Sequence, residues 1–309
     1  MHPAPSVAVV MATYNGAALL PMQLDSFAAQ TLPPRLLLVS DDGSSDATVQ
    51  VVQDWAARQV QIETRVFDGP CRGAAQNFLS LLRRPLETDY LAISDQDDIW
   101  LPEKLAAAVG ALAALPEGVP GLYCGRSWEV REDLSGRRLS RGAPRPPSFA
   151  HALVQNIAGG NTMVLNRAGA EIVREAALAT DDIVIHDWWI YQVMTGVGGR
   201  VIFDNTPHLL YRQHAGNIIG ANRGLAATLM RAHMLVRGRF SDWCACNIAA
   251  LRRIEARLTP ENRALLEAFD AARRKGGPRC LAEIRRAGFY RQGRRGQISL
   301  YLAAVLRRL

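Results

Sequence analysis

Three aspartates crowd into four positions of a short segment in the first third of the chain. The segment "LAISDQDDIW", residues 91–100, places Asp95, Asp97 and Asp98 directly behind an apolar run. Carboxylates this close repel one another unless a cation compensates their charge, and hard divalent ions such as Mg²⁺ take oxygen ligands together with substrate phosphates. A helix N-terminus is the alternative explanation for Asp98, since a carboxylate is favourable there and Pro102 fits the first turn. The segment as a whole predicts a metal-assisted phosphate site.

The surrounding pattern predicts the elements that must position these aspartates. Between residues 6 and 95, apolar runs rich in β-branched residues alternate with segments of helical periodicity, which is typical of βαβ units. Such units build a mostly parallel sheet with helices on both faces, and ligands bind beyond the carboxyl ends of its strands. Polar residues follow three of the predicted strands, at 13–15, 41–44 and 95–98. We expect these three loops to converge on one crevice.

The chain changes character near residue 221, where we predict a domain boundary. Residues 1–220 carry the α/β pattern, although less regularly after residue 119, and residues 221–309 are helical in periodicity. The charge changes at the same place. Residues 221–309 hold 19 Arg and Lys against 6 Asp and Glu, whereas residues 1–220 hold 17 against 23. The net charge of +7 therefore arises in the C-terminal region.

Composition and motifs argue against several classes of protein. With 49% hydrophobic and 21% charged residues the chain is ordinary for a globular protein, and its apolar runs are shorter than the roughly 20 residues that span a bilayer. The N-terminal residues lack the pattern of a secretory signal, and five scattered cysteines favour free thiols in a reducing compartment. The sequence has neither G-x-G-x-x-G after the first strand nor a P-loop motif. The missing signal pattern and the cysteines together lead us to expect a cytoplasmic protein. No motif spacing supports nucleic-acid binding, so we expect no nucleic-acid partner.

Five segments in a fixed order resemble a known family. They are "VVMATYNGAALLPMQLDSFAAQT", "LLLVSDDGSSDATVQVV", "AISDQDDIWLPEKL", "HDWWIY" and "LYRQHAGNIIG". In this order and spacing they resemble the inverting family-2 glycosyltransferases with the GT-A fold, over roughly residues 6–220. The last two, with "GPCRGAAQNFLSLL", are similar to the rhamnosyltransferase-like members. The resemblance implies a Rossmann-like, mostly parallel sheet flanked by helices, with residues 221–309 as a C-terminal helical appendage.

The resemblance also implies roles for residues on the nucleotide side of the site. In the family, the first strand end and the "DDGS" turn hold the base and ribose. The implied nucleotide-binding residues are Thr13, Tyr14, Asn15, Asp41, Asp42 and Asp95. The chemistry agrees for Asp42, because the N3–H of uracil or thymine is a donor that a carboxylate accepts. For Asp41, an Asx turn that supports Gly43 is an equal alternative.

The resemblance further implies residues that bind a metal ion and the donor diphosphate or sugar. Asp97 matches the metal-facing aspartate of the family's D-x-D motif, and His214 of "YRQH" matches a third ligand, for Mg²⁺ or Mn²⁺. Arg212 is a candidate diphosphate ligand. Gly73 and Asn77 lie at the predicted start of a helix, where they either approach phosphate and sugar or form a plain turn and helix face.

Asp187 is the candidate catalytic residue. It lies among aromatic residues in "HDWWIY", and the matching family position carries the general base, which takes the proton from the acceptor hydroxyl as that oxygen attacks the anomeric carbon. His186 is the second candidate for the base. Trp188 and Trp189 are candidates for stacking on sugar, and we expect one of them to lie in the core.

The sequence therefore predicts a glycosyltransferase that moves a sugar from a nucleoside-diphosphate donor with inversion. The resemblance favours dTDP-L-rhamnose as donor, with UDP sugars as the alternative, and a glycan or lipid-linked acceptor in cell-surface polysaccharide synthesis. The competing class is a basic lipid- or nucleic-acid-binding protein built on an inactive GT-A domain.

The basic residues 221–309 have three candidate contacts: their own domain, a second copy of the chain in a homo-oligomer, and an anionic membrane surface on its cytoplasmic side. The final segment is predicted to form a helix with an apolar face. That face consists of Ile298, Tyr301, Leu302, Val305 and Leu306. It either packs on neighbouring helices or lies on the membrane as a peripheral contact.

Overall fold

A computed structural model of the protein describes residues 4–85, 87–214 and 238–309. The predicted domain boundary near residue 221 lies outside these residues. The described strands are β1 (Val7–Thr13), β2 (Leu36–Asp41), β3 (Glu63–Asp68), β4 (Tyr90–Ser94), β5 (Ile99–Trp100), β6 (Gly121–Gly125), β7 (Trp128–Arg131), β8 (Arg138–Leu139), β9 (Val164–Asn166), β10 (Arg200–Asp204) and β11 (Leu209–Gln213). The described helices are α1 (Leu20–Ala28), α2 (Thr48–Arg58), α3 (Ala74–Leu82), α4 (Lys104–Ala113), α5 (Phe149–Ala152), α6 (Arg167–Ala179), α7 (His186–Gly196), α8 (Arg239–Arg252), α9 (Pro260–Lys275), α10 (Gly277–Arg286) and α11 (Gly293–Val305).

Seven strands form the main sheet in the order β10-β6-β9-β4-β1-β2-β3. Six of them run parallel, and β9 runs antiparallel between β4 and β6. The predicted mostly parallel sheet is therefore confirmed. Since β1 lies between β2 and β4, the loops that follow these three strands leave the same edge side by side. The antiparallel β9 brings the turn before it to that edge as well.

The strand β1 shows why this sequence forms a central strand. Its residues alternate between two apolar cores on opposite faces of the sheet, as the two-residue period of a strand requires. Val9 and Met11 pack into the core that α1 and α2 cover, while Ala8 and Val10 pack into the core on the α3 side. All four are at most 1% exposed.

A second sheet contradicts one prediction about the aspartate segment. Residues 99–100 form β5, which pairs with β11 in a four-stranded sheet of order β5-β11-β7-β8, and α4 begins only at Lys104. The interpretation of Asp98 as a residue at a helix N-terminus is therefore wrong. The physical reason is Trp100, whose buried ring packs edge-on against Phe27 at a centroid distance of 4.7 Å and holds this segment as a strand.

The C-terminal helices pack against the α/β part through one continuous apolar core. Leu251 and Phe269 belong to the same buried cluster as Trp189 and the α3 face of β1. Polar contacts join the two parts also, since the hydroxyl of Tyr290 donates to the carbonyl of Pro146. Among the described helices, none combines the length and the apolar character needed to cross a bilayer.

Candidate active site

The loops after β1 and β2 are joined by direct hydrogen bonds. The hydroxyl of Thr13 donates to Asp41 Oδ1 at 2.9 Å. The backbone N–H of Asn15 donates to Ser44 Oγ at 2.8 Å, and Asn15 Oδ1 accepts from the N–H of Ser45 at 2.8 Å. The predicted convergence of these two loops is confirmed. Thr13, Asn15 and Asp41 hold the loops in shape, in addition to any contact with a ligand.

The Asp41 carboxylate bonds within its own loop, but to the residue three positions on rather than to Gly43 two positions on, as the predicted Asx turn would require. Its Oδ2 accepts from the N–H of Ser44 at 2.8 Å, and its Oδ1 accepts from the Ser44 hydroxyl at 2.6 Å. The turn passes through Gly43, whose φ of +88° is accessible to glycine without steric cost. The Asp41 carboxylate is therefore engaged with its own loop on both oxygens.

Asp42, Gly73 and Asn77 connect the end of β2 to the start of α3. Asp42 Oδ2 accepts from the N–H of Gly73 at 2.6 Å, and Gly73 adopts a φ of +87° just before the helix. Asn77 is buried and donates from Nδ2 to the carbonyl of Ser40 at 2.7 Å. These three predicted ligand residues meet at one place, where Asn77 supports the strand end from beneath.

Gln96 joins the aspartate loop to the end of β1, and the sequence did not mark it as functional. Its Oε1 accepts from the N–H of Tyr14 at 2.9 Å, and its Nε2 donates to the Tyr14 carbonyl at 3.0 Å. Gly16 makes room for this amide, because a Cβ there would lie 2.3 Å from Gln96 Oε1. The backbone of Tyr14 is thus fixed, while the residue as a whole stays 57% exposed.

Carboxylates of four aspartates gather at this edge, and two of them, Asp95 and Asp98, have a raised pKa. Burial, with the charges of Asp97 and Asp187, raises the pKa of Asp95 well above its ordinary value. Burial and the charges of Asp97 and Asp95 likewise raise the pKa of Asp98. Such mutual repulsion favours any cation that enters the crevice.

Asp97 and His214, the two predicted metal ligands, are direct neighbours. His214 Nε2 lies 2.6 Å from Asp97 Oδ2, and both side chains are 17% exposed. Within residues 4–85, 87–214 and 238–309, no group of three or more His, Cys, Asp or Glu side chains is arranged to hold an ion, so Asp97 and His214 form a pair of candidate ligands rather than a complete set. A carboxylate oxygen and an imidazole nitrogen suit Mg²⁺ or Mn²⁺, and such sites commonly take their remaining ligands from substrate phosphates and water. The donor set therefore fits a divalent ion that binds together with a diphosphate.

Asp98 is buried beneath this pair and anchors it. It accepts hydrogen bonds from Nδ2 of Asn161 and, at 3.2 Å, from the backbone N–H of Arg212. Lys104 is buried close by, where burial lowers the pKa of its ammonium to about 7 although the Asp98 charge opposes that shift. The Arg212 side chain is also buried, with Nη2 3.6 Å from Met22 Sδ. The Arg212 side chain is therefore shielded from solvent, and its role as a diphosphate ligand stays a prediction.

Asp187 lies in the first turn of α7 and is linked to the turn that precedes β9. Its Oδ2 accepts from the N–H of Gly160 at 3.2 Å, and its Oδ1 accepts from the N–H of Trp188 at 2.5 Å. Burial raises the pKa of Asp187 to about 6, while these hydrogen bonds lower it. Because its charge contributes to the shift at Asp95, the two carboxylates share one electrostatic environment.

The neighbours of Asp187 are packing residues. The His186 ring stacks on Phe78 at a centroid distance of 3.7 Å, and burial lowers its pKa to about 3. We expected one of Trp188 and Trp189 to lie in the core, and both are buried. Trp188 packs against Phe240 of α8 at a centroid distance of 6.2 Å. The C-terminal helices therefore contact the residue next to Asp187.

Comparison with known proteins identifies the family to which the chain belongs. Residues 8–167 match the family model described as Glycosyl transferase family 2. The chain belongs to this family. Its fold is GT-A, as the resemblance implied, and solved GT-A glycosyltransferases are among its structural neighbours.

Named relatives give the range of activities in the family. A dTDP-rhamnosyl transferase, RfbG of Shigella flexneri, is 28% identical over 237 residues, which cover 74% of this chain and 80% of that protein. A mannosyltransferase of Pyrobaculum calidifontis, solved in complex with GDP-Man and Mn²⁺, has a TM-score of 0.53 at 20% identity, covering 99% of this chain and 88% of the other. Residues 1–349 of Staphylococcus aureus TarS, solved with UDP-GlcNAc, give 0.53 at 14% identity, over 91% and 90% of the two chains.

Proposed function

We propose that this glycosyltransferase moves L-rhamnose from dTDP-L-rhamnose, with inversion, to a hydroxyl of a glycan or glycolipid acceptor in cell-surface polysaccharide synthesis. Sugar transfer follows from the family, while the donor is proposed from the relative RfbG, whose name states that donor class. The catalytic part comprises residues 1–220 in this proposal. The observation that supports it most directly is the gathering of Asp95, Asp97 and Asp187 at the edge where three strand-end loops meet.

The nucleotide is proposed to bind across the loops after β1 and β2. The exposed ring of Tyr14 offers a face for the base, and the Gln96 amide keeps its backbone in position. Asp42 lies beside the start of α3 and is proposed to read the N3–H of thymine. A uracil presents the same N3–H, so UDP sugars remain the second candidate donors, which relatives such as the UDP-glucose-dependent WfgD of Escherichia coli also support.

The donor diphosphate is proposed to bind with Mg²⁺ or Mn²⁺ between Asp97, His214 and Asp95. A bound ion supplies a Lewis acid that carries the charge developing on the diphosphate as the glycosidic bond breaks. Asp97 and His214 hold their positions through each other and through the buried Asp98 that follows Asp97. Positive charge in this place would oppose the raised pKa of Asp95 and so favour its carboxylate form, which accepts hydrogen bonds from the ribose in this proposal.

Asp187 is proposed to act as the general base. The acceptor hydroxyl gives its proton to the Asp187 carboxylate while its oxygen forms a bond to the anomeric carbon and the nucleoside diphosphate leaves from the opposite face. A base with a pKa of about 6 is ionised near neutral pH and yet close enough to that pH to accept a proton effectively. The N–H groups of Gly160 and Trp188 fix the orientation of both its oxygens.

Donor consumption by the purified protein tests this proposal. The protein is incubated with Mg²⁺ or Mn²⁺ and each of a panel of nucleotide sugars, and release of nucleoside diphosphate is measured with and without a rhamnose-accepting glycan. We expect dTDP-L-rhamnose to be consumed fastest. Faster consumption of a UDP sugar would replace the donor assignment, and consumption of none would reject the catalytic assignment in favour of a binding protein.

A further inference from the structure

The last helix, α11, carries an apolar face that the rest of the protein leaves uncovered. Ile298, Leu302, Val305 and Leu306 are 58%, 51%, 41% and 55% exposed. Their spacing of four, three and one residues puts them on one side of the helix. The opposite side holds the helix on the protein through the buried residues Leu300, Ala303 and Ala304. Packing on neighbouring helices therefore does not account for this face, except at the half-buried Tyr301.

This face differs from other exposed apolar side chains of the protein. The remaining large ones among the described residues occur singly, at Tyr14, Met22, Val60 and Leu178. Scattered single residues of this kind are normal on a protein surface, whereas a contiguous set marks a site of interaction. The outer face of α11 is thus a candidate docking surface.

Arginines flank the apolar face at both of its ends. Arg294 and Arg295 precede Ile298 by four and three residues, so they lie at the margins of the same face, and Arg307 and Arg308 follow Leu306. All four are exposed. The surrounding residues 239–309 hold 16 Arg and Lys against 6 Asp and Glu. A partner for this surface must combine apolar depth with negative charge.

We propose that the outer face of α11 docks on an anionic phospholipid membrane. The apolar side chains enter the boundary between headgroups and acyl chains, and the flanking arginines contact lipid phosphates. A second copy of the chain is a poorer occupant, since pairing two such faces brings eight arginines together. An anionic lipid surface complements both the apolar side chains and the charge.

The docking face is connected to the proposed acceptor side of the active site. The hydroxyl of Ser241, in α8, donates to the Leu309 carbonyl at 2.6 Å. The neighbouring Phe240 stacks on Trp188, which follows Asp187 in sequence. Docking through α11 therefore positions Asp187 relative to the membrane. This step rests on the proposed function and deepens it, because it assigns the acceptor to the class of lipid-linked glycans.

Flotation of the full chain with lipid vesicles tests the docking. Vesicles of phosphatidylcholine alone are compared with vesicles that also contain phosphatidylglycerol, each at low and high salt. We expect binding to the anionic vesicles at low salt and at least about tenfold less to the neutral ones, with release at high salt. Equal binding to both kinds of vesicle, or binding to neither, would overturn the proposal.

Variants separate the apolar and charged contributions. Ile298→Ser with Leu302→Ser, and separately Arg294→Gln with Arg295→Gln, should each weaken vesicle binding about tenfold or more. Two variants are the matched controls. The single variant Val60→Ser changes an exposed apolar residue outside α11, and the double variant Arg58→Gln with Arg137→Gln changes two exposed arginines outside α11. Each control should bind vesicles as the wild type does.

Two further measurements keep the inference separate from the proposed function. Donor consumption in solution, without vesicles, should be the same in all these variants, so a failure of catalysis leaves the binding result interpretable. Sedimentation equilibrium gives the mass of the serine variant. If that variant is smaller than wild type while its vesicle binding is unchanged, the face belongs to a second copy and the membrane proposal is wrong.

Discussion

The edge of the sheet and the C-terminal helices both concentrate charge of one sign, but they hold it differently. At the sheet edge, burial and the charges of neighbouring carboxylates raise the pKa of Asp95, and the loops that carry them are joined by short hydrogen bonds. In the helices, Arg252 and Arg274 share the single carboxylate of Asp270, at 2.6 and 3.0 Å, and further arginines such as Arg294 and Arg295 are exposed. Neither concentration of like charges stabilises the fold by itself, because like charges repel and exposed ion pairs contribute little to the free energy of unfolding.

The difference teaches what kind of ligand each region suits. Groups fixed by several hydrogen bonds select a small ligand of defined geometry, such as a diphosphate with its metal ion. Exposed arginines around an apolar face suit a surface whose charges have no fixed positions, such as a membrane. Substitutions at the edge should therefore change binding of the donor or turnover, whereas those in α11 should change only where the enzyme acts.

The largest effect is expected from Asp97→Ala. Without this carboxylate the ion loses its principal protein ligand, and transfer should fall by about 10³-fold or more, the scale of losing several kcal/mol of charge stabilisation. Calorimetry with donor and Mn²⁺ measures the cause, which is loss of metal-dependent donor binding. Asp54→Ala, at an exposed carboxylate on α2, is the control and should behave as wild type. A folded Asp97→Ala protein with undiminished metal-dependent binding would show that the ligand assignment is wrong.

Asp187→Asn should leave donor affinity nearly intact and lower kcat about 10²-fold or more, the range expected for loss of a general base. Asparagine preserves the shape and can still accept one of the two backbone hydrogen bonds, so the substitution removes chiefly basicity. Turnover is compared at saturating donor and acceptor, with donor affinity from calorimetry. Turnover within a few-fold of wild type would show that another residue is the base.

The pH dependence of kcat follows from the same residue. Burial raises the pKa of Asp187 to about 6, so the carboxyl is protonated and inactive as a base below that pH and ionised above it. We expect kcat to rise about tenfold between roughly pH 5 and roughly pH 7 and then to level off. Asp187→Asn should lack this rise. A flat wild-type profile across the same interval would contradict the assignment.

Much of the sheet edge could be predicted from sequence, because strand ends in a parallel sheet are marked by a change from apolar to polar residues. That change located the loops around Thr13, Asp41 and Asp95, and the family resemblance supplied the remaining candidates. The role of Gln96 could not be predicted, since its bonds go to the backbone of Tyr14, and a backbone partner leaves no trace in residue types.

Asp98 was misassigned for a different reason. Its local sequence is compatible with a helix start, and the competing strand depends on pairing with β11, more than 100 residues away along the chain. The exposure of α11 could not be predicted either. Helical periodicity shows that a helix has an apolar face, but it does not show what that face contacts. Local sequence patterns do not predict which distant strands pair or which surfaces contact another molecule or a membrane.

Gln96→Ala tests whether the bridge between loops matters for the donor. The substitution removes two hydrogen bonds that fix Tyr14, and we expect the donor KM to rise about tenfold while kcat changes little. Gln50→Ala, which removes an exposed amide bonded to Asp54 on α2, is the matched control. If the donor KM is unchanged in Gln96→Ala, the Tyr14 loop does not need this bridge to hold the nucleotide.

The smallest effect is expected from Trp243→Ala, in the helix that contacts α7. The Trp243 ring packs edge-on against Trp188 at a centroid distance of 6.3 Å, and Trp188 donates through Nε1 to the Ala152 carbonyl, which limits its movement. Loss of the outer ring should therefore loosen the first turn of α7 only slightly. We expect kcat to fall about threefold because Asp187 is less well oriented, with the donor KM unchanged. Trp243→Phe should restore most of kcat, since it keeps an aromatic ring at the contact. A rise in donor KM as large as the fall in kcat would place the influence of the C-terminal helices on the nucleotide side, and the contrast between the two regions would no longer hold.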